Sequence, residues 1–141
     1  MSTTDIVSNI KKYEGFRGMP YDDSLGFPTI GYGTKLPIDK DEAELLLKKR
    51  LNDVRRELES RVDFFYDLPE EIQAVLLDMA YNMGVPRLFT FKKMWEAVRD
   101  RDWERMADEM VDSLWYRQVG RRAEELAGVV RRFRSEELRH A

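Results

Sequence analysis

The chain of 141 residues contains no cysteine. That excludes a disulfide framework, a thiolate metal site and a cysteine nucleophile. It has one histidine, His140, beside the C-terminus, so a histidine triad or a histidine-rich metal site is not expected. Acid–base chemistry then falls to carboxylates, lysines or tyrosines, and no metal or other cofactor is expected. Long apolar runs are missing too. The opening MSTTDIVSNIKKYEGF has no signal-peptide core. No later segment approaches the roughly 20 apolar residues that span a bilayer. The expectation is a monomer made in the cytoplasm, without membrane insertion, whose release depends on a separate membrane-opening protein.

A strong charge of one sign is also lacking. The net charge is −3, which gives no general pull on polyanions. The C-terminal WYRQVGRRAEELAGVVRRFRSEELRH is richer in cations, with seven arginines against four glutamates. Interleaved glutamates favour a solvated helix face over a nucleic-acid patch, and no nucleic-acid partner is expected. The hydrophobic fraction of 43% is that of a globular chain. The length suits one domain or two small lobes sharing a core.

The chain is predicted to fold as follows. Ile6, Val7, Ile10 and Tyr13 recur at helical spacing, giving a helix over 4–13, with Ser2, Thr3 or Thr4 as cap. From 16 to 38, Gly and Pro recur and FPTIGYGT has strand composition, so a small antiparallel sheet with tight turns is expected. Asp39 and Glu42 have capping-box spacing. Leu47, Leu51, Val54, Leu58 and Val62 then form one stripe on a helix of about 40–62. Asp67 and Pro69 are expected to start the next helix. IQAVLLDMAYNMG is apolar on nearly every face and should be buried at the centre of a helical body, stopped by Gly84 and Pro86. Short amphipathic helices should pack around it. The fold class is α+β and mostly helical. It has a small β lobe over about 14–39, an interlobe helix over 40–62 and a helical lobe over 63–141 that the N-terminal helix joins.

YEGFRGMPYDDSLGFPTIGYGT, positions 13–34, carries the candidate chemistry. Glu14 ends the first helix, Asp23 sits in a turn and Thr29 lies on the presumed strand. A strand folding back beside the helix end would bring them to one cleft. Two carboxylates flanking a scissile bond are what glycoside hydrolysis needs. One gives a proton to the leaving oxygen, and the other activates a water or attacks the sugar. With 27 acidic residues in the chain, spacing alone leaves open a solvated helix-end glutamate and a solvated turn aspartate.

The residues Glu14, Gly15, Arg17, Tyr21, Asp23, Gly26, Thr29, Ile30, Gly31 and Gly33 fit E-G-x-R-x-x-x-Y-x-D-x-x-G-x-x-T-I-G-x-G. This pattern resembles the catalytic signature of phage-type lysozymes. DEAELLL, AYNMGVPRLFTF and SLWYRQVGRRA resemble later segments of that family in the same order. The resemblance selects Asp23 over Asp22. It implies Glu14 as general acid, and Asp23 and Thr29 as holders of the attacking water, with inversion at the sugar carbon. The implied substrate is the β-1,4 bond between N-acetylmuramic acid and N-acetylglucosamine in peptidoglycan. Arg122 matches the arginine that contacts the family's catalytic glutamate, and Asn82 matches a cleft-lining amide. A lytic transglycosylase and an inactive peptidoglycan-binding module are the competing readings. The first needs no aspartate–threonine water site, and the second needs no intact Glu14, Asp23 and Thr29.

The sequence departs from the family in two places. Thr34 stands where a histidine is common, so a His–Asp ion pair used by some relatives cannot form. Only positions 35–38 separate Thr34 from the cap of the long helix, so the small lobe should be trimmed, to a hairpin with little else. Trp95, Trp103, Trp115, Tyr116 and Phe133 are expected in the core rather than on sugar rings, because each buries a large area. For Tyr21 and Phe27, inside the signature, sugar contact and packing stand equal. Arg17 either orients the acidic site or pairs at the surface.

Overall fold

The computed structural model describes the backbone of residues 3–140 and the side chains of residues 5–133. Ser2, the side chains of Thr3 and Thr4, Arg134 and His140 lie outside the described residues. The chain divides into two compact units, 1–46 and 47–141.

The first unit begins with α1 (Thr3–Glu14). Gly15 ends it, its N–H donating to Lys11 O at 2.9 Å. Three antiparallel strands follow in the order β1 (Arg17–Asp22), β2 (Pro28–Gly31) and β3 (Thr34–Lys35). β3 makes the lobe a three-stranded sheet rather than a hairpin. Tyr21 pairs with Thr29, and Thr29 with Lys35, so these three stand in one row across the sheet. β1 is irregular between Arg17 and Tyr21. Pro20 falls inside that irregularity, where a missing N–H costs no ladder bond.

The long helix α2 (Lys40–Arg61) starts in the first unit and runs into the second. Its N-terminus is a reciprocal capping box. Asp39 Oδ1 accepts from Glu42 N–H at 2.8 Å, and Glu42 Oε1 accepts from Asp39 N–H at 3.0 Å. The apolar stripe is buried only in its later part. Leu58 and Val62 join the core, Leu51 and Val54 pack against it, and Leu47 is exposed.

The core belongs to the second unit. A 3-10 turn (Phe65–Asp67) precedes α3 (Glu70–Met83), which buries Ile72, Val75, Leu76, Leu77, Met79 and Ala80. The helix starts later than Asp67, because that residue closes the 3-10 turn and Pro69 takes the cap position without a side-chain bond. Gly84 ends α3, and Pro86 sits in the first turn of α4 (Val85–Leu88), where its missing N–H is harmless. Then come α5 (Lys92–Arg99), α6 (Trp103–Val111), α7 (Leu114–Val119) and α8 (Arg121–His140). Asp102 and Ser113 cap α6 and α7 through their side chains. α8 packs on α3 and α6, burying Ala123, Ala127 and Val130.

The late aromatics are core residues, as expected. Trp103 and Trp115 are buried. Trp95 stacks on Phe89 at 5.1 Å and donates its indole N–H to Leu88 O. Phe133 meets Trp103 edge-on, and Tyr116 packs against the same core. The fold is α+β and mostly helical, with eight helices and one three-stranded sheet among the described residues.

Candidate active site

The first unit brings the signature residues together around the sheet. Glu14 is the last residue of α1, and its exposed side chain lies over the β2–β3 turn. Phe16 and Tyr32 support this placement, with ring centroids 5.6 Å apart, and Lys11 lies 5.4 Å from the Tyr32 ring centre. The contact is close enough that a side chain at residue 33 would displace the Glu14 carboxyl. A Cβ on Gly33 would stand 2.6 Å from both Glu14 Cδ and Oε2. Gly33 also has φ +76°, a region that disfavours side chains.

That pairing gives a test. Gly33→Ala is expected to push the Glu14 carboxyl aside as well as strain the backbone by about 1 kcal/mol or more. Gly31→Ala is the control. Gly31 has φ +69° but nothing within 4 Å of a built Cβ. Both variants should melt earlier than wild type. Only Gly33→Ala should also lose about tenfold or more in wall-clearing rate, the cost of a misplaced reacting group. Equal rates for the two variants would show that Gly33 does not hold Glu14.

Asp23 builds its own turn. Its Oδ1 accepts from Leu25 N–H at 2.9 Å and from Phe27 N–H at 2.8 Å. Its backbone N–H donates to Phe27 O, and Gly26 N–H donates to Asp23 O, both at 2.9 Å. The other carboxylate oxygen, Oδ2, is ion-paired with the Lys35 ammonium. Lys35 and then the Phe27 amide hold the Asp23 carboxyl below the usual carboxylate range. In return Asp23 raises the Lys35 ammonium, and the charges of Glu14 and Tyr21 add to that. Lys35 therefore lies in the field of both acidic residues.

Thr29 is fully buried, and its hydroxyl donates to Phe27 O at 2.8 Å. Only its oxygen lone pairs are left to meet a water proton. Tyr21 is partly buried, and its ring carries the Arg17 guanidinium at 4.5 Å from its centre. Arg17 thus sits on an aromatic face beside the acidic residues. Phe27 is 57% exposed, so its ring is open to a ligand while its backbone serves the Asp23 turn.

Asn82 and Arg122 lie in the second unit, each with a partner there. Asn82 Oδ1 accepts from the Trp115 indole N–H at 2.8 Å, tying α3 to α7. The Arg122 guanidinium pairs with Asp78 on α3, with Nε to Oδ1 at 2.6 Å. Among the other C-terminal arginines, Arg121 pairs with Glu125 and Arg131 with Asp108. Among the described residues no group of three acidic or histidine side chains converges as a metal site would require.

Sequence reasoning missed Lys35. A signal for Lys35 was present, since it is the one cation between Arg17 and Lys40, in a stretch containing Asp22, Asp23 and Asp39.

The chain is similar to known proteins over most of its length. The chain is 28% identical to the pre-baseplate central spike protein Gp5 of Enterobacteria phage T4. That match covers 89% of this chain and 27% of the spike protein, so the chain spans about a quarter of that relative's length. It is 26% identical to the probable T4-type lysozyme 1 of Dictyostelium discoideum, over 89% of this chain and 95% of that protein. The phage lysozyme family model matches residues 11–137, a range that takes in Glu14, Asp23 and Thr29. The chain belongs to the phage lysozyme family.

Proposed function

We propose that the chain is a lysozyme of the endolysin type. It hydrolyses the β-1,4 bond between N-acetylmuramic acid and N-acetylglucosamine in peptidoglycan, with inversion. The observation that carries this reading is an Asp23 carboxylate bound on both oxygens in the same small unit as Glu14. Asp23 is bound on both oxygens by donors that favour its ionised form. The Glu14 carboxyl lies over the β2–β3 turn of the same unit. A glycosidase needs one carboxylate that stays charged and one carboxyl that carries a proton. Asp23 has the environment for the first role, and the place of Glu14 in the family signature gives it the second.

In the reaction Glu14 delivers its proton to the glycosidic oxygen as the C1–O bond breaks. A water held by Asp23 forms the new bond to C1 from the opposite face and passes its proton to the Asp23 carboxylate. Thr29 fixes the Phe27 carbonyl at the base of the turn, and to add a lone pair to that water its buried hydroxyl must first be uncovered. Tyr21 and Phe27 supply aromatic surface beside the acidic residues. Asn82 and Arg122 remain substrate-side candidates, in which case each would serve alongside its bond to Trp115 or Asp78.

Digestion of purified peptidoglycan tests the reading. The expected products carry new reducing ends, released first as the α anomer and detected by NMR before mutarotation. Initial β anomer would overturn inversion. Anhydro ends would identify a lytic transglycosylase, and a wild-type chain that binds wall without products would be a binding module.

A further inference from the structure

Resting on the hydrolase reading, we propose that Lys35 is a positioning residue that holds the Asp23 carboxylate in the one orientation able to seat the attacking water. A carboxylate offers about four acceptor positions. Two on Oδ1 are filled by the Leu25 and Phe27 amides, and Lys35 takes one on Oδ2. One position on Oδ2 is left. A water bound there has a single direction of approach, and the three donors keep the carboxylate from rotating away.

The strand register makes this a built feature. Lys35 is the direct cross-strand partner of Thr29, which pairs in turn with Tyr21. Residues directly opposite each other share a sheet face. The row Tyr21–Thr29–Lys35 therefore aims the ammonium along the same face as the Thr29 hydroxyl. Asp23, whose side chain is 15% exposed, receives it at the end of the β1–β2 hairpin. The Lys35 side chain is 59% exposed and reaches Asp23 from the solvent side. The second strand residue of β3 is thereby accounted for: without it the sheet would carry no cation to the turn.

The charged and titratable groups around this pair are Glu14 from α1, Arg17, Tyr21 and Asp22 from β1, and Lys35 itself from β3. Of these, Lys35 is the largest influence on Asp23, and Glu14 acts on Lys35. Removing Lys35 should therefore raise the Asp23 carboxyl towards its ordinary value. A base that must be ionised sets the acid limb of the rate profile. That limb should move to higher pH.

The experiment uses the full chain, wild type, Lys35→Met and Lys35→Arg. kcat/KM on purified peptidoglycan is measured across the acidic and neutral range, and the Asp23 carboxyl carbon is titrated by NMR. Lys35→Met is expected to lose about tenfold or more in kcat/KM, in keeping with a misoriented catalytic group. Its acid limb and its Asp23 midpoint should both move up in pH. Lys35→Arg, which keeps the charge, should restore the limb and most of the rate. A Lys35→Met variant with wild-type rate and wild-type acid limb overturns the proposal, and so does one that is faster, since Lys35 would then be blocking Asp23. A wild-type chain that yields no new reducing ends overturns the hydrolase reading, and the role of Lys35 with it. An active wild type with an indifferent Lys35→Met overturns Lys35 alone.

Discussion

Glu14→Gln is expected to remove hydrolysis of peptidoglycan, by about 10²–10⁴-fold, while leaving the fold intact. The amide has nearly the shape of the carboxyl, so it can occupy the same space over Gly33. It has no acidic proton to give the leaving oxygen. Glu14 is exposed at the end of α1 and stands outside the hydrophobic core, which begins at Leu58. A surface substitution of this kind shifts stability by about 0.5 kcal/mol or less. Circular dichroism and a thermal melt should therefore match wild type, while reducing-end release falls to background. A Glu14→Gln chain that still releases a tenth of the wild-type ends would remove Glu14 from the role of acid. The same variant also bears on Lys35, because Glu14 is one of the charges that raise its ammonium. The Asp23–Lys35 pair should survive the substitution, since the direct bond to Asp23 is the stronger influence.

Much of this arrangement can be read from the amino acids, but not evenly. The long helix is legible because its determinants are local: Asp39 and Glu42 are three residues apart and satisfy each other's amide. The burial of α3 is legible because an all-round apolar helix has nowhere else to go. Trp103 and Trp115 follow the same logic of area. Periodicity fails at Leu47, since it reports which side of a helix is apolar and not how far along that side the neighbouring core extends. Leu47 opens the second unit, beyond the core's reach, and is exposed.

The site divides in the same way. Asp23 as a turn residue is visible in DDSLG, whose aspartate–glycine chemistry favours a turn. The resemblance to phage-type lysozymes chose Asp23 over its neighbour Asp22. What spacing could not show is the Lys35 bond, twelve residues away along the chain and made across two hairpins. Its existence depends on strand register, and register is set by turn geometry rather than by any pattern within β3. Arg122 gives a related lesson. Its partner Asp78 lies 44 residues back on α3. Only tertiary packing brings those two together.

Asp23→Asn should cost nearly as much activity as the Glu14 substitution, about 10²-fold or more, and it separates chemistry from architecture. The asparagine oxygen can still accept from the Leu25 and Phe27 amides, so the turn over residues 23–27 is retained. Its NH₂ group faces the Lys35 ammonium and can no longer pair with it or take a proton from water. Alanine at 23 would instead remove both amide bonds to Oδ1. It should melt earlier than the asparagine variant, for loss of the turn as well as the charge. The pH dependence has a definite sign. The native Asp23 carboxyl is held low by Lys35 first and the Phe27 amide second. A depressed native value stabilises the fold above the ordinary aspartate value of about 4 and is lost as pH falls through the native one. Wild type should therefore lose melting temperature in that acid window more steeply than Asp23→Asn, which has no carboxyl to titrate. Parallel melting curves across that window would mean that the ion pair contributes nothing to stability. Asp23→Asn with wild-type turnover would show that the water is activated elsewhere.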